Sequence, residues 1–216
     1  NESDLEALGF FNGAWLSPDP STEFTIATSS IRRIAQWLHR HPGHRIDNLR
    51  GNVNTRLRKL DESSWNGAIF AAAGVERIGL RPERSVDLDW MLPAPAQGAI
   101  MIVCREDDDT AFSAAAPLND ADTALCTRIE RDFLRTLMGG CSTPISALAH
   151  IEKGSLHFKG NILSIDGKQQ AAVERMVEPG EAEGLGTELG LELLNSGGAS
   201  IVESIRKKGM SANNHA

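Results

Sequence analysis

Between Phe24 and Gly74, short apolar runs alternate with helical repeats, and this alternation constrains the fold more than any other feature of the chain. Phe24 to Thr28 reads as a strand, and Thr28-Ser29-Ser30 is a helix-start signal. Ile31, Ile34, Ala35 and Leu38 then repeat at helical spacing until His41-Pro42-Gly43 stops the helix. Arg45 to Arg50 reads as a second strand leading into the turn Arg50-Gly51-Asn52. A second helix follows, with Val53, Leu57 and Leu60 inward, and Ala68 to Ala73 reads as a buried strand ended by Gly74. Helices between strands carry the chain back to the starting end of a sheet, so the strands pair in parallel as an α/β unit. Ligands of such sheets bind outside the carboxyl ends of the strands. Thr28–Arg33, Arg50–Arg56 and Gly74–Arg77 all fall at strand-to-helix transitions and are expected to converge on one crevice.

After this unit the pattern changes. Pro93-Ala94-Pro95-Ala96-Gln97-Gly98 reads as a crossover or hinge, followed by an apolar strand from Ala99 to Cys104 and a solvated acidic loop, Glu106-Asp107-Asp108-Asp109. A long helix runs from about Asp122 to Met138, with Leu125, Ile129, Phe133 and Leu137 every four residues, capped by Gly139-Gly140. Ile145–Ile151, Leu156–Ile165 and Gln169–Val177 read as antiparallel strands joined by Lys153-Gly154 and Asp166-Gly167 turns. Two closing helices, roughly Glu181–Asn195 and Ser200–Lys207, are separated by Gly197-Gly198. The second half is therefore read as a small α+β domain with a three-stranded antiparallel sheet.

Charge sharpens the picture. The chain totals −7, yet Ser30 to Leu60 holds Arg32, Arg33, Arg40, Arg45, Arg50, Arg56, Arg58 and Lys59 against the single anion Asp47. That window is +7, which leaves −14 for the remainder. The acidic remainder argues against a general nucleic-acid binder, and no apolar run is long enough for a membrane-spanning helix. Arg32 and Arg33 stand in the first turn of a helix, where the dipole disfavours positive side chains. Free amides, hydroxyls and guanidiniums together at a helix start make an anion pocket, against the blander reading of a solvated basic face.

Three cysteines, an odd count without metal-type spacing, suit a reducing compartment. Cys141 follows two glycines and precedes Ser142-Thr143-Pro144, which predicts an exposed loop. Cys104 and Cys126 read as small core hydrophobes. His39, His41 and His44 sit at a helix terminus and read as a polar cap; no metal site is expected.

Five motifs occur in order: Thr28-Ser29-Ser30-Ile31-Arg32-Arg33, Leu49-Arg50-Gly51-Asn52-Val53-Asn54-Thr55-Arg56-Leu57, Ala73-Gly74-Val75-Glu76-Arg77, Gln97-Gly98-Ala99 and Gly139-Gly140-Cys141. In this combination the chain resembles the porphobilinogen deaminase (hydroxymethylbilane synthase) family of tetrapyrrole biosynthesis, from about Phe24 onward. The resemblance implies a periplasmic-binding-protein-like α/β domain followed by the small α+β domain. It implies a transferase that condenses four porphobilinogen units, with loss of ammonia, into linear hydroxymethylbilane. A dipyrromethane cofactor would be attached by a thioether to Cys141. Ser30, Arg32 and Arg33 match cofactor-binding positions. Arg50 and Arg56 match positions for incoming substrate and the growing polypyrrole, and Arg77 matches a further cleft arginine. A cytoplasmic enzyme acting on porphobilinogen, with no nucleic-acid or membrane partner, is implied.

The sequence departs from the family pattern in places. Ala96 stands where Gly is common, and Val75-Glu76 replaces a more usual Leu-Lys. The family's catalytic Asp belongs to a Lys-Asp-x-Pro motif in its first domain. No Lys-Asp pair exists in this sequence, so no catalytic residue is assigned in the chain. The expected organisation is domain 2 with its entry segment over 1–94, a hinge and returning segment of domain 1 over 95–118, and domain 3 over 119–216. Domain 1 is expected to be supplied by the rest of the same protein or by a companion fragment. The Ala99–Cys104 strand is then expected to pair with another chain or to stay poorly ordered. The competing reading is a noncatalytic polycarboxylate-binding module derived from the same family.

Overall fold

The computed structural model describes residues 5, 8, 10–11, 14–15, 23–137 and 143–213. A small antiparallel ribbon, β1 (Phe10–Phe11) and β2 (Ala14–Trp15), precedes the α/β unit. That unit runs β3 (Thr25–Ala27), α1 (Ile31–Arg40), β4 (Arg45–Asp47), α2 (Val53–Glu62), β5 (Gly67–Ala68) and α3 (Ala72–Glu76). The three strands lie in the order β4-β3-β5 and all pair in parallel, with Ile26 opposite both Ile46 and Gly67. Parallel pairing brings all three carboxyl ends to one edge, as the alternation predicts. Ile26, Trp37, Ile69 and Leu8 form the small core here, with Phe24, Leu88 and Met91 packed around it.

The second unit is larger and drier. Here α4 (Asp109–Ala115) and a 3-10 turn lead to α5 (Ala121–Thr136). Strands β6 (Ile145–Glu152), β7 (Ser155–Leu163) and β8 (Gln170–Val177) form an antiparallel sheet in sequence order. Helices α6 (Leu185–Leu193) and α7 (Ala199–Asn213) close it. One face of the sheet alternates Ala147, Ala149 with Leu156, Phe158 and Ile162, and it buries against Ile129 and Phe133 of α5 and Leu189 and Leu193 of α6. Phe133 meets Phe158 edge-on, ring centroids 5.1 Å apart, and both are fully buried. Burying each such side chain contributes on the order of 2 kcal/mol. The β6–β7 turn is Lys153-Gly154, with φ of 52° and 85°, the positive-φ pair that a two-residue hairpin needs.

Several expectations change. The Ala68–Ala73 run is a strand only at Gly67–Ala68; from Ala72 it is helical, and Gly74 lies inside α3 instead of ending a strand. Alanine favours helix where no neighbouring strand extends the ladder. Ala99–Cys104 forms no strand: Ile100, Met101, Ile102 and Val103 are exposed, and Cys104 is exposed instead of buried. No strand among the described residues offers this segment a backbone partner. Cys126 is buried beside Ile129 and Phe133 as expected. The acidic run is not only a loop, because Asp108 caps α4 by accepting from Ala111 N at 2.9 Å. The histidines do close α1, with His41 as its C-cap and His39 exposed in the last turn, but the cap is largely an aromatic stack. His41 and His44 are buried and stack at 4.7 Å between rings, and His41 stacks on Trp37 at 4.5 Å. The Gly139-Gly140 cap lies outside the described residues.

Candidate functional site

The site sits where the carboxyl ends of β3, β4 and β5 meet. Ser30 is the N-cap of α1 in extended conformation, but its side chain makes no capping bond to the helix. The neighbouring hydroxyls are used elsewhere: Ser29 Oγ donates to Leu49 O at 2.7 Å, and Thr28 Oγ1 accepts from Ser30 N at 3.4 Å. The start of α1 thus has no side-chain cap. The pocket, about 170 Å³, is walled by Thr28, Ser29 and Ser30, by Leu49 after β4, by Ile69 after β5, and by Arg33 and Arg56.

Arg56 reaches it through the turn before α2. Gly51 has φ of 120°, and a Cβ there would lie 2.9 Å from the Thr55 methyl, so the turn requires glycine. Asn52 caps α2 by accepting from Thr55 N at 2.9 Å, and Arg56 Nε donates to Gly51 O at 2.7 Å. Arg33 donates to Ile69 O at 3.1 Å. Arg32 donates to Leu92 O at 3.0 Å and to Gln97 Oε1 at 2.9 Å, and with Arg33 it lines an adjoining cavity of about 540 Å³.

These three arginines bond to neutral acceptors, and among the described residues none makes an ion pair. Burial, with Arg33 alongside, pushes the Arg32 guanidinium down to about 10. Burial and then Arg56 lower Arg33 likewise. The window's one anion does not neutralise them, because Asp47 Oδ2 accepts from Trp65 Nε1 at 2.5 Å. Concentrated positive charge that is half-desolvated and uncompensated is the electrostatic form of an anion site.

The predicted site residues thus divide. Ser30, Arg33 and Arg56 share the pocket, and Arg32 stands at the adjoining cavity. Arg50 and Arg77 are exposed and line neither cavity, so the structure does not bring them together with the others. Cys141 lies outside the described residues. Among the described residues no group of His, Cys, Asp and Glu could hold a metal ion, and no helix is long and apolar enough to cross a membrane.

The Pro93–Gly98 segment, expected to be a crossover or hinge, is hydrogen-bonded to both units. Ala96 N donates to the buried Glu130 of α5 at 2.5 Å, and Ala147 N of β6 donates to Pro93 O at 3.2 Å. Gln36, Glu130 and Arg81 escaped the sequence reading. Arg81 holds Glu76 at 2.5 Å and Asp87 at 2.8 Å, which ties the 81–91 segment to α3. The only sequence signal for Gln36 was a polar residue between Ala35 and Trp37, one helical turn beyond Arg32.

Comparison with known proteins decides the family. The family model described as porphobilinogen deaminase, dipyromethane cofactor binding domain, matches residues 14–113, and that of the porphobilinogen deaminase C-terminal domain matches 124–195. This chain belongs to the porphobilinogen deaminase family. The porphobilinogen deaminase of Syntrophobacter fumaroxidans is 43% identical over 182 residues, covering 83% of this chain and 59% of the relative. That of Syntrophotalea carbinolica is 42% identical, covering 83% and 58%. That of Acidithiobacillus ferrooxidans is 39% identical over 201 residues, covering 91% and 65%. The chain therefore spans 58% to 65% of the length of these curated relatives. In family terms, the arginine pocket lies within the match to the cofactor-binding domain.

Proposed function

We propose that this chain supplies the arginine cleft and the cofactor-bearing unit of a porphobilinogen deaminase. The reaction is the condensation of four porphobilinogen units, with loss of ammonia, into linear hydroxymethylbilane. The observation that carries the reading is the cluster of Arg32, Arg33 and Arg56, held on neutral acceptors around the uncapped start of α1. Porphobilinogen carries an acetate and a propionate, so each added pyrrole brings two carboxylates, and guanidinium forks bind carboxylates in two-point fashion.

In this reading Arg32, Arg33 and Ser30 hold the carboxylates of a dipyrromethane, and Arg56 meets the incoming ring. Their half-desolvated charge fits such a group, since each guanidinium has donors left beyond its neutral acceptors. A dipyrromethane tethered through Cys141 would supply the free pyrrole end that is extended. The chain's residues bind and orient; the carboxylate that manages the pyrrole protons is not assigned among them. Arg50 and Arg77 are proposed as outer contacts for the lengthening polypyrrole.

The same reading divides the chain into an α/β domain over 1–94, a connecting segment over 95–118 and an α+β domain over 119–216. The central position of β3 between β4 and β5 supports a periplasmic-binding-protein-like sheet for the first. A partner supplying the remaining third or more of the relatives' length would cover Ile100–Val103.

Intact-mass spectrometry tests the covalent half. A dipyrromethane-sized addition in the purified chain, absent in Cys141→Ser, is expected; an unmodified thiol in protein that also carries the partner domain sinks it. Calorimetric titration with porphobilinogen tests the cleft. Binding weakened at least tenfold in Arg33→Leu is expected, and equal binding by both proteins defeats the assignment. One rival keeps the same arginine cleft, a noncatalytic polycarboxylate binder. Binding without porphobilinogen consumption, in the presence of the partner domain, would select it.

A further inference from the structure

Arg32 takes both of its acceptors, Leu92 O and Gln97 Oε1, from residues 92–97. Where that guanidinium points is thus decided by whatever holds this strap. Gln36 is the principal anchor. It lies one turn after Arg32 on α1 and is buried. Its Oε1 accepts from Leu92 N at 2.9 Å, and its Nε2 donates both to Leu92 O at 3.0 Å and to Ser146 Oγ of β6 at 3.0 Å. Both N–H bonds and the carbonyl of the amide are engaged. A flipped amide would set its oxygen against Leu92 O, so only one orientation satisfies the site.

Other contacts fasten the same joint. Gln97 Oε1 also accepts from Ala94 N at 3.3 Å, which closes the strap on itself. Glu130 receives Ala96 N and, through its other oxygen, Ala149 N at 2.7 Å. Farther along α1, His39 Nδ1 lies 2.8 Å from Gly167 O. A Cβ on Gly167 would come within 2.5 Å of His39 N. Helix α1 is thereby seated on the antiparallel sheet at two places, and Gln36 is the one that touches the strap.

We propose that Gln36 is a positioning residue for the arginine cleft. It locks Leu92 to β6, the locked strap aims Arg32, and the anion site of the α/β unit is held in register with the C-terminal unit. This rests on the carboxylate-cleft reading above. Loss of the amide leaves Leu92 N–H and the Ser146 hydroxyl without this partner, and Leu92 C=O with Arg32 alone, so the strap shifts to find new ones.

The test uses the whole chain, with porphobilinogen as the calorimetric probe. Gln36→Met should weaken binding about tenfold and Ser146→Ala by a few-fold, within the span of couplings carried through packed networks. The double variant should bind no more weakly than Gln36→Met, because both remove one joint. Leu189→Ala, destabilising but remote in the C-terminal core, should bind as wild type does. Gln36→Glu should regain affinity relative to wild type as pH falls and its carboxyl, once protonated, can donate again.

Gln36→Met binding like wild type overturns the proposal, as does an equal loss in Leu189→Ala. If Arg33→Leu has no effect, the cleft reading fails first; if Arg33→Leu weakens binding and Gln36→Met does not, only the positioning role fails. Amide hydrogen exchange reads the strap without any ligand. Leu92 and Ala96 should exchange at least tenfold faster in Gln36→Met, and unchanged protection at both overturns the proposal.

Discussion

His41 is 3% exposed, and its ring lies between Trp37 and His44, with Trp90 edge-on at 6.2 Å. Neither ring nitrogen has a hydrogen-bond partner among the described residues. Burial first, then the neighbouring His44 and Arg40, push its ionisation down from 6.5 to about 4. Between those two values the unfolded chain holds a proton that the folded protein refuses. Stability is therefore full above pH 6.5 and is lost as pH falls towards 4, at about 1.4 kcal/mol per pH unit. The whole shift is worth about 3 kcal/mol, a large share of an ordinary domain's stability. Urea unfolding at several pH values between 7.5 and 4 would measure it, comparing wild type with His41→Phe, which keeps an aromatic ring in the stack. Other titrating groups cancel in the difference. Among them is Glu130, which burial raises and which therefore works in the opposite sense, costing stability as pH rises through its range. The wild-type stability relative to His41→Phe should drop by 2 to 3 kcal/mol on the order of magnitude expected from the shift. A difference constant with pH would refute the reasoning, because it would mean the buried ring accepts its proton as easily as a free one.

Other outcomes are equally checkable. Gly167→Ala forces a positive-φ residue (φ 71°) and a Cβ against the α1 backbone, so thermal unfolding should show a loss of at least about 2 kcal/mol. Leu189→Ala, fully buried between α6 and the sheet, should cost about 2 to 5 kcal/mol in urea unfolding. Ile100→Lys should leave the melting temperature nearly unchanged, since Ile100 is 85% exposed, yet reduce self-association in light scattering. A marked destabilisation would show that the segment packs where it is now exposed.

The C-terminal unit was legible because its rules are local. Alternation of period two marked β6, β7 and β8, the Lys153-Gly154 pair marked the turn, and the four-residue repeat marked α5. The start of α1 was legible for the same reason. Ala68–Ala73 was not, because alanine and glycine have little strand preference and the ladder's extent depends on a neighbour. Cys104 misled because apolar character says that a residue seeks burial, not whether a surface is there to provide it.

The candidate site shows the same boundary. That Arg32, Arg33 and Arg56 occur at strand-to-helix transitions followed from the sequence, and parallel pairing then had to bring two of those transitions together. At the third, Arg77 follows α3 as its C-cap and is exposed, lining neither cavity. The bonds that aim Arg32 join residues 56 to 110 positions apart, through Gln36, Leu92, Gln97 and Ser146. Local composition determined the elements, the charge asymmetry and the family motifs. Only the tertiary structure decided which arginines share a pocket and what orients them, because a buried amide finds its partners by packing and nothing in neighbouring residues encodes them.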